Sequence, residues 1–281
     1  MVGAGLLSRR RMVAGALVAS VLSGRDAFAG VPGRIVALDW AMAETLAALG
    51  APLVAVAEAP LYAQRVVQPA LPAQTQDVGL RSWPNLEALR ALRPDLIVTM
   101  EGYGIPPARL ERIAPVRALP LYSAERKPLA LARRAVGDLA ALTGRHAEGA
   151  QLLAALDVAL ARGIPDDHPL LIVKFADDRL LDVYGPGSLF HDVLAAMGLR
   201  NAWTGPTNSW GFATAGLDQL ARYPAARLVI IEPAPPARLL NSALWRALPQ
   251  MQAGQVTVLP PVWVFGGVPS AIRFADLLGA A

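Results

Sequence analysis

The amino-acid sequence predicts an α/β fold of two lobes with central, mostly parallel sheets, joined by one long rigid helix. Three observations carry that reading. Short apolar runs alternate with helix-like stretches along most of the chain, the pattern of parallel strands linked by helices. A segment of the first half is echoed in the second. Between the halves lies a stretch of helical periodicity without the composition of a flexible linker.

Residues 1–29 stand apart from the rest. Ser8-Arg9-Arg10-Arg11 leads into a weakly apolar run ending near Leu22, and Ala27-Phe28-Ala29 supplies a small-x-small pattern. A positive segment, a short apolar segment and such a site make an export signal rather than a membrane anchor, and the arginines are those of the twin-arginine class. Cleavage near Ala29 and residence in the periplasm follow as expectations. No later apolar run is long enough to span a bilayer.

The first lobe is expected over 30–143. Arg34–Leu38 reads as a short strand, Met42–Leu49 as a helix closed by Gly50, and Leu53–Ala57 as another strand. Asn85–Leu92 is a helix ending before Pro94, and Leu96–Met100 is a buried strand. "NLEALRALRPDLIVTME" (Asn85–Glu101) is then echoed by "GLDQLARYPAARLVIIE" (Gly216–Glu232), and "ETLAALG" (Glu44–Gly50) by "DVLAAMG" (Asp192–Gly198). The echoes predict two βα-rich halves on one plan, although alanine-rich helices also resemble one another by chance. The joining helix is expected over 144–165, where Leu153, Leu156 and Leu160 form a stripe at i, i+3 and i+7. The second lobe follows over 166–281.

Composition narrows the chemistry. The whole chain has a formal net charge of +4, but residues 1–29 carry four arginines and one aspartate; the remaining 22 basic and 21 acidic residues give +1. Without its leader the chain loses the basic excess that a nucleic-acid partner requires. The absence of cysteine removes disulfides, thiol catalysis, cysteine-ligated metal and lipidation at an N-terminal cysteine. His146, His168 and His191 share no metal-ligand spacing, so no metal site is expected. "GPGSL" (Gly185–Leu189) lacks the lysine of a phosphate loop and the spacing of a nucleophile elbow, and Ser188 reads as a helix cap. No nucleophile–base pair supports an enzyme.

Aromatics and arginine in loops are more informative. Aligning the echoes matches Leu86 with Leu217 and makes the preceding loops equivalent; one carries Arg81-Ser82-Trp83, the other Trp210-Gly211-Phe212. The segments after the strands Leu96–Met100 and Gln255–Leu259 add Tyr103 and the pair Trp263 and Phe265. Ligands of open α/β sheets lie in the crevice at the carboxyl ends of the strands, where such loops gather. A single tryptophan is more often core filler than a ligand platform; four loop segments aimed at one crevice favour a binding site.

These residues also carry a family likeness. "RIVALDWAMAETLAALG", "DVGLRSWPNLEAL", "GPGSLF", "NAWTGPTNSWG" and "LPPVWVFGGVPSAIRF" resemble, in order and spacing from Arg34 to Leu278, the periplasmic ferric-hydroxamate (ferrichrome-type) siderophore-binding proteins of ABC importers. The resemblance implies a class III periplasmic binding protein, monomeric, with the ligand in a shallow cleft and no cofactor, since the siderophore itself satisfies the Fe(III). It implies that Arg81 bonds the hydroxamate oxygens, that Tyr103 adds a phenolic contact, and that Trp203, Trp210 and Trp263 form an aromatic wall. Phe265 stands where the family pattern has a tyrosine, and Arg65 where it has an aromatic contact. An inner-membrane ABC permease is the implied partner. The alternatives are another chelate of similar bulk, namely a catecholate siderophore, haem or cobalamin, or an exported α/β enzyme.

Overall fold

The computed structural model describes residues 30–163, 167–177 and 179–281. The expected leader at 1–29 lies outside them. The first sheet is built from β1 (Ile35–Ala37), α1 (Trp40–Ala48), β2 (Leu53–Val56), α2 (Ala59–Arg65), β3 (Gln76–Asp77), α3 (Leu86–Leu92), β4 (Leu96–Met100), α4 (Pro107–Leu110) and β5 (Val116–Leu119). Its strands run parallel in the order β3-β2-β1-β4-β5. Helices α5 (Pro128–Thr143) and α6 (His146–Leu160) lead to the second sheet.

That sheet comprises β6 (Leu170–Phe175), β7 (Leu180–Tyr184), β8 (Phe212–Gly216), β9 (Arg227–Ile231) and β10 (Val256–Leu259), in the order β10-β9-β6-β7-β8. Helix α7 (Leu189–Ala196) lies between β7 and β8, and a 3-10 turn at Leu217–Arg222 follows β8. The short helices α8 (Ala237–Leu240), α9 (Ala243–Ala247) and α10 (Pro249–Gln252) precede β10, and α11 (Val268–Gly279) ends the fold. β7 runs antiparallel to β6 and β8, while β6, β9 and β10 are mutually parallel.

The sequence echo has a structural counterpart. β4 and β9, which carry the two copies, each sit between the first strand of their sheet and its last. In the first copy Asn85 caps α3 by accepting from the backbone N–H of Glu87 and Ala88. In the second, Gly216 offers no side-chain cap and the segment tightens into a 3-10 turn. β6 and β7 form an antiparallel hairpin with no helix between them, which strand–helix alternation does not predict. Its turn is held by Asp177, whose Oδ1 accepts from the N–H of Arg179 at 2.7 Å and Leu180 at 2.8 Å.

The chain crosses between the sheets through helices. α6 forms within 144–165, but α5 precedes it, so the chain crosses through a helix pair. Gly144, at φ +65°, ends α5 in the left-handed conformation that suits glycine. The two helices pack so closely at Gly149 that a Cβ there would lie 2.7 Å from Ala140 Cβ. α11 packs on α6, α7, α1 and α5, and α5 also touches α1 and α7. Helices from both halves therefore form one shared layer, and Val31–Ala281 is a single compact unit.

At the centre of this layer Glu44 of α1 is fully buried. Its Oε1 accepts from the backbone N–H of Gly267 at 2.5 Å and Ser270 at 3.3 Å, and its Oε2 from the Ser270 hydroxyl at 2.6 Å. These partners open α11, where the helix dipole favours negative charge. Burial nevertheless dominates and raises the Glu44 pKa to about 8, from 4.5 for a free side chain. Folding then favours the protonated group, a stabilisation fully present below about pH 4.5 and lost as pH rises through about 8. Asp39 acts in the same direction but only to about 6. The thermal midpoint of the native sequence should therefore fall between pH 6 and 8, and Glu44→Gln should flatten that slope. Calorimetry that finds equal slopes in both proteins removes Glu44 as their cause.

Candidate ligand-binding cleft

The loops that leave the carboxyl ends of the parallel strands converge between the two sheets. Asp39 and Trp40 follow β1, Met100 ends β4, Tyr103 lies beyond it, and Tyr122 follows β5. From the second half, Trp263 and Phe265 follow β10, and Trp210 and Phe212 stand at the start of β8. A cavity of about 270 Å³, open on one side, is lined by Asp39, Arg81, Met100, Tyr103, Trp210, Phe212, Trp263 and Phe265.

Arg81 is the fixed point of its floor. Its Nε donates to Glu58 Oε2 at 2.7 Å, with both side chains largely buried. The guanidinium carbon lies 3.8 Å from the centroid of the Trp40 ring and 4.9 Å from that of Trp263. Both stacks are cation–π contacts, each contributing about 0.5–2 kcal/mol. The two terminal nitrogens have no hydrogen-bond partner among the described residues. The fork is thus held by one nitrogen and two rings while its remaining donors stay available. Asp39, 2% exposed, shares this floor. Burial raises its pKa to about 6, opposed by N–H donors from the first turn of α1 and by the charge of Arg81.

The facing wall is aromatic. Trp210 contacts Phe265 at 5.2 Å between ring centroids, Tyr122 at 5.4 Å and Tyr103 at 5.9 Å. Phe265 in turn meets Trp263 and Phe212. The edge-to-face pair of Tyr103 and Trp210 is a contact between the halves across the cleft. Two glycines shape these loops. At Gly211, φ +81°, a Cβ would fall 2.1 Å from the backbone nitrogen of Ser188, so the turn that presents Trp210 and Phe212 admits no side chain. At Gly104, φ +75°, a Cβ would lie 3.0 Å from the Arg81 carbonyl, which lets the Tyr103 loop lie directly on the Arg81 loop.

Both loops of the second half are tied to the first. The Tyr122 hydroxyl donates to the Gly266 carbonyl at 3.3 Å, and Glu44 holds the amide of Gly267, so the Trp263–Phe265 segment is fixed at its end by the opposite half. Arg126 does the same for the Trp210 loop. Its guanidinium donates to the carbonyls of Asn208 at 2.7 Å and Pro186 at 2.5 Å and to the Thr207 hydroxyl at 2.5 Å.

Of the residues singled out in the sequence, the structure brings Arg81, Tyr103, Trp210, Trp263 and Phe265 together. Trp203 is the exception. It does not line the cleft but packs within the second half against Tyr223, at 5.6 Å between ring centroids, and against the buried cluster around Leu171 and Val183. Asn201 imposes this: it bridges to Leu170, donates to the Tyr184 carbonyl, and accepts from the Trp203 N–H. Gly185 and Gly205 leave room for the ring, which a Cβ at either site would approach to 2.4 and 2.9 Å. Ser188 caps α7 as expected. Asp39, Met100 and Phe212 were not assigned to the site from sequence, yet Asp39 and Met100 occupy the carboxyl ends of strands where ligand contacts gather.

With this geometry in hand, the relatives are informative. A family model described as periplasmic binding protein matches residues 35–262. The iron(3+)-hydroxamate-binding protein FhuD of Escherichia coli (strain K12) is 35% identical over 292 residues, which cover 100% of this chain and 98% of that protein. The structure of the siderophore-binding protein FhuD from Vibrio cholerae bound to Fe3+–Desferal matches with a TM-score of 0.81 at 33% identity, covering 88% of this chain and 96% of that one. FhuD from S. pseudintermedius, 21% identical with a TM-score of 0.68 over 89% of this chain and 92% of its own, shares the fold. The relatives are substrate-binding proteins and not enzymes, and this chain belongs to the periplasmic binding protein family.

Proposed function

We propose that this protein captures ferric hydroxamate siderophores in the periplasm and delivers them, as a monomer, to an inner-membrane ABC permease. The observation that carries the reading is Arg81: fixed through Nε and between two indoles, it keeps its other donors facing a cavity walled by aromatic rings. In a ferric trihydroxamate three singly charged ligands neutralise the metal, leaving partial negative charge on the oxygens. The cleft matches that balance, because the Arg81 charge is already offset by Glu58. A highly anionic catecholate complex finds no surplus of cations there. The E. coli and V. cholerae FhuD proteins carry a name or a ligand of the hydroxamate class, which supports the same choice. Export by the twin-arginine leader supplies the route to the periplasm, and no helix among the described residues is long and apolar enough to cross a membrane.

Magnitudes favour an aromatic affinity and a polar selectivity. A buried aromatic ring covers roughly 150–250 Å², about 4–6 kcal/mol gross at 25 cal/mol per Å². A charge-assisted hydrogen bond contributes about 1.5–3 kcal/mol. A micromolar complex needs only about 8 kcal/mol net after association costs.

Ferrichrome or ferrioxamine B should quench intrinsic tryptophan fluorescence saturably at micromolar or lower concentration; the reading fails if no ferric hydroxamate does so. Replacing Arg81 with alanine should weaken the complex at least about tenfold, the loss of one charge-assisted bond, and unchanged affinity would take Arg81 out of the site. Trp203→Phe should leave the dissociation constant within about twofold, because surface- and core-conservative changes away from a site cost little there. A large loss would return Trp203 to the cleft.

A further inference from the structure

Asp39 is the one carboxylate among the described residues that line the cleft cavity. It follows β1 and caps α1, and it is 2% exposed. Its Oδ1 is committed to that cap, accepting from the N–H of Ala41 at 2.8 Å and Met42 at 3.3 Å. Among the described residues no side chain donates to either oxygen, and no ion pair joins the carboxylate to Arg81, which is held by Glu58 instead. Oδ2 is therefore the oxygen left to meet a ligand. It shares the floor with the Arg81 fork, whose guanidinium carbon lies 3.8 Å from the ring centroid of Trp40, the next residue in the chain.

The charges of this floor do not balance while Asp39 is ionised. Arg81 is already offset by Glu58, so an ionised Asp39 leaves one net negative charge facing the oxygens of a bound iron core. Those oxygens are partly negative and can only accept hydrogen bonds. Protonated, the same carboxyl becomes an O–H donor beside the N–H donors of Arg81. Burial already pushes its pKa up to about 6, against the pull of the Met42 and Ala41 amides and of the Arg81 charge. A ligand lying on the floor removes the remaining solvent and sets oxygens against the group, and both effects favour the neutral acid further. The surrounding ionisable groups are otherwise engaged. Glu44 of α1 holds Gly267 and Ser270, and the Tyr122 hydroxyl donates to Gly266. On α11, Arg273 donates to the Pro261 carbonyl and Asp276 pairs with Arg162. On α5, Arg133 and Arg134 pair with Asp157 and Glu125, and Asp138 is exposed. Arg81 and Tyr103 are the other ionisable side chains of the cavity lining.

Resting on the hydroxamate reading above, we propose that Asp39 takes up a proton from solvent when a ferric hydroxamate binds and donates the resulting O–H to a ligand oxygen beside those bonded by Arg81. No covalent bond of the ligand changes; the proton passes from water to Oδ2. Asp39 thereby selects a ligand face that presents acceptors at this point. A carboxyl that is more basic in the complex than in the free protein makes binding tightest at low pH, and the affinity falls as pH rises above about 6.

Fluorescence titration with ferrichrome and with ferrioxamine B, whose own charges are constant between about pH 5 and 8, reads this coupling. For the native sequence the dissociation constant should be level below about pH 6 and rise about tenfold or more by about pH 8, the effect of one linked proton. Asp39→Asn keeps the cap acceptor and offers an uncharged N–H donor, so it should lose the slope and bind at the upper pH about as tightly as the native sequence does at the lower. Calorimetric titration of the native protein at neutral pH, in phosphate and in Tris, should show uptake of nearly one proton per ligand; that measurement decides the matter should the variant misfold. An affinity independent of pH, an affinity that rises with pH, or a slope that survives Asp39→Asn overturns the inference and leaves the hydroxamate reading standing. Failure of both probes to bind at any pH overturns both.

Discussion

Glu44 reaches from α1 into the first turn of α11 and there replaces water with two backbone amides and one serine hydroxyl. A carboxyl group removed from solvent is costly unless its hydrogen bonds are made in full, and these can be made only while the two halves hold their present relation. Gly266 and Gly267 make the approach possible. A Cβ on Gly266 would lie 2.2 Å from the Ser270 side chain and 2.9 Å from Glu44 Oε1. The same two glycines follow Phe265 directly. The contact that joins the halves is therefore also the contact that sets the pose of the binding loop.

The cleft inherits its order from that join. Trp263 meets Trp40 edge to face at 4.6 Å between centroids, and Arg81 lies over both rings, so a residue from each half and the arginine between them form one unit. Tyr122 and Arg126 add further ties from the first half to the loops of the second. With α11 and α5 packed on helices of both halves, hinge closure would have to break buried hydrogen bonds and uncover the shared helical layer. The site is preorganised, and preorganisation is what allows a shallow cleft to bind without first ordering its loops.

Much of this could be read from the sequence, and the misses have physical causes. Strands such as Leu96–Met100 are apolar runs bounded by turn residues, and the echo of Asn85–Glu101 in Gly216–Glu232 marked equivalent strands of the two sheets. Arg81, Tyr103, Trp210, Trp263 and Phe265 stood in loops, where a large aromatic has no local reason to be. Trp203 shared that setting, but its fate was decided by long-range contacts: the pairing of Asn201 with Leu170 turns it inward. Asp39 carried no sequence signal of a site role; in the structure its carboxylate also caps α1, accepting from the N–H of Ala41 and Met42.

Small-angle X-ray scattering of the protein with and without saturating ferric hydroxamate tests the central claim most directly. If Glu44 and the helical layer hold the halves in place, the radius of gyration is the same in both states within experimental error. A contraction on ligand binding would show that the halves close like a hinge and that the join described here does not fix them.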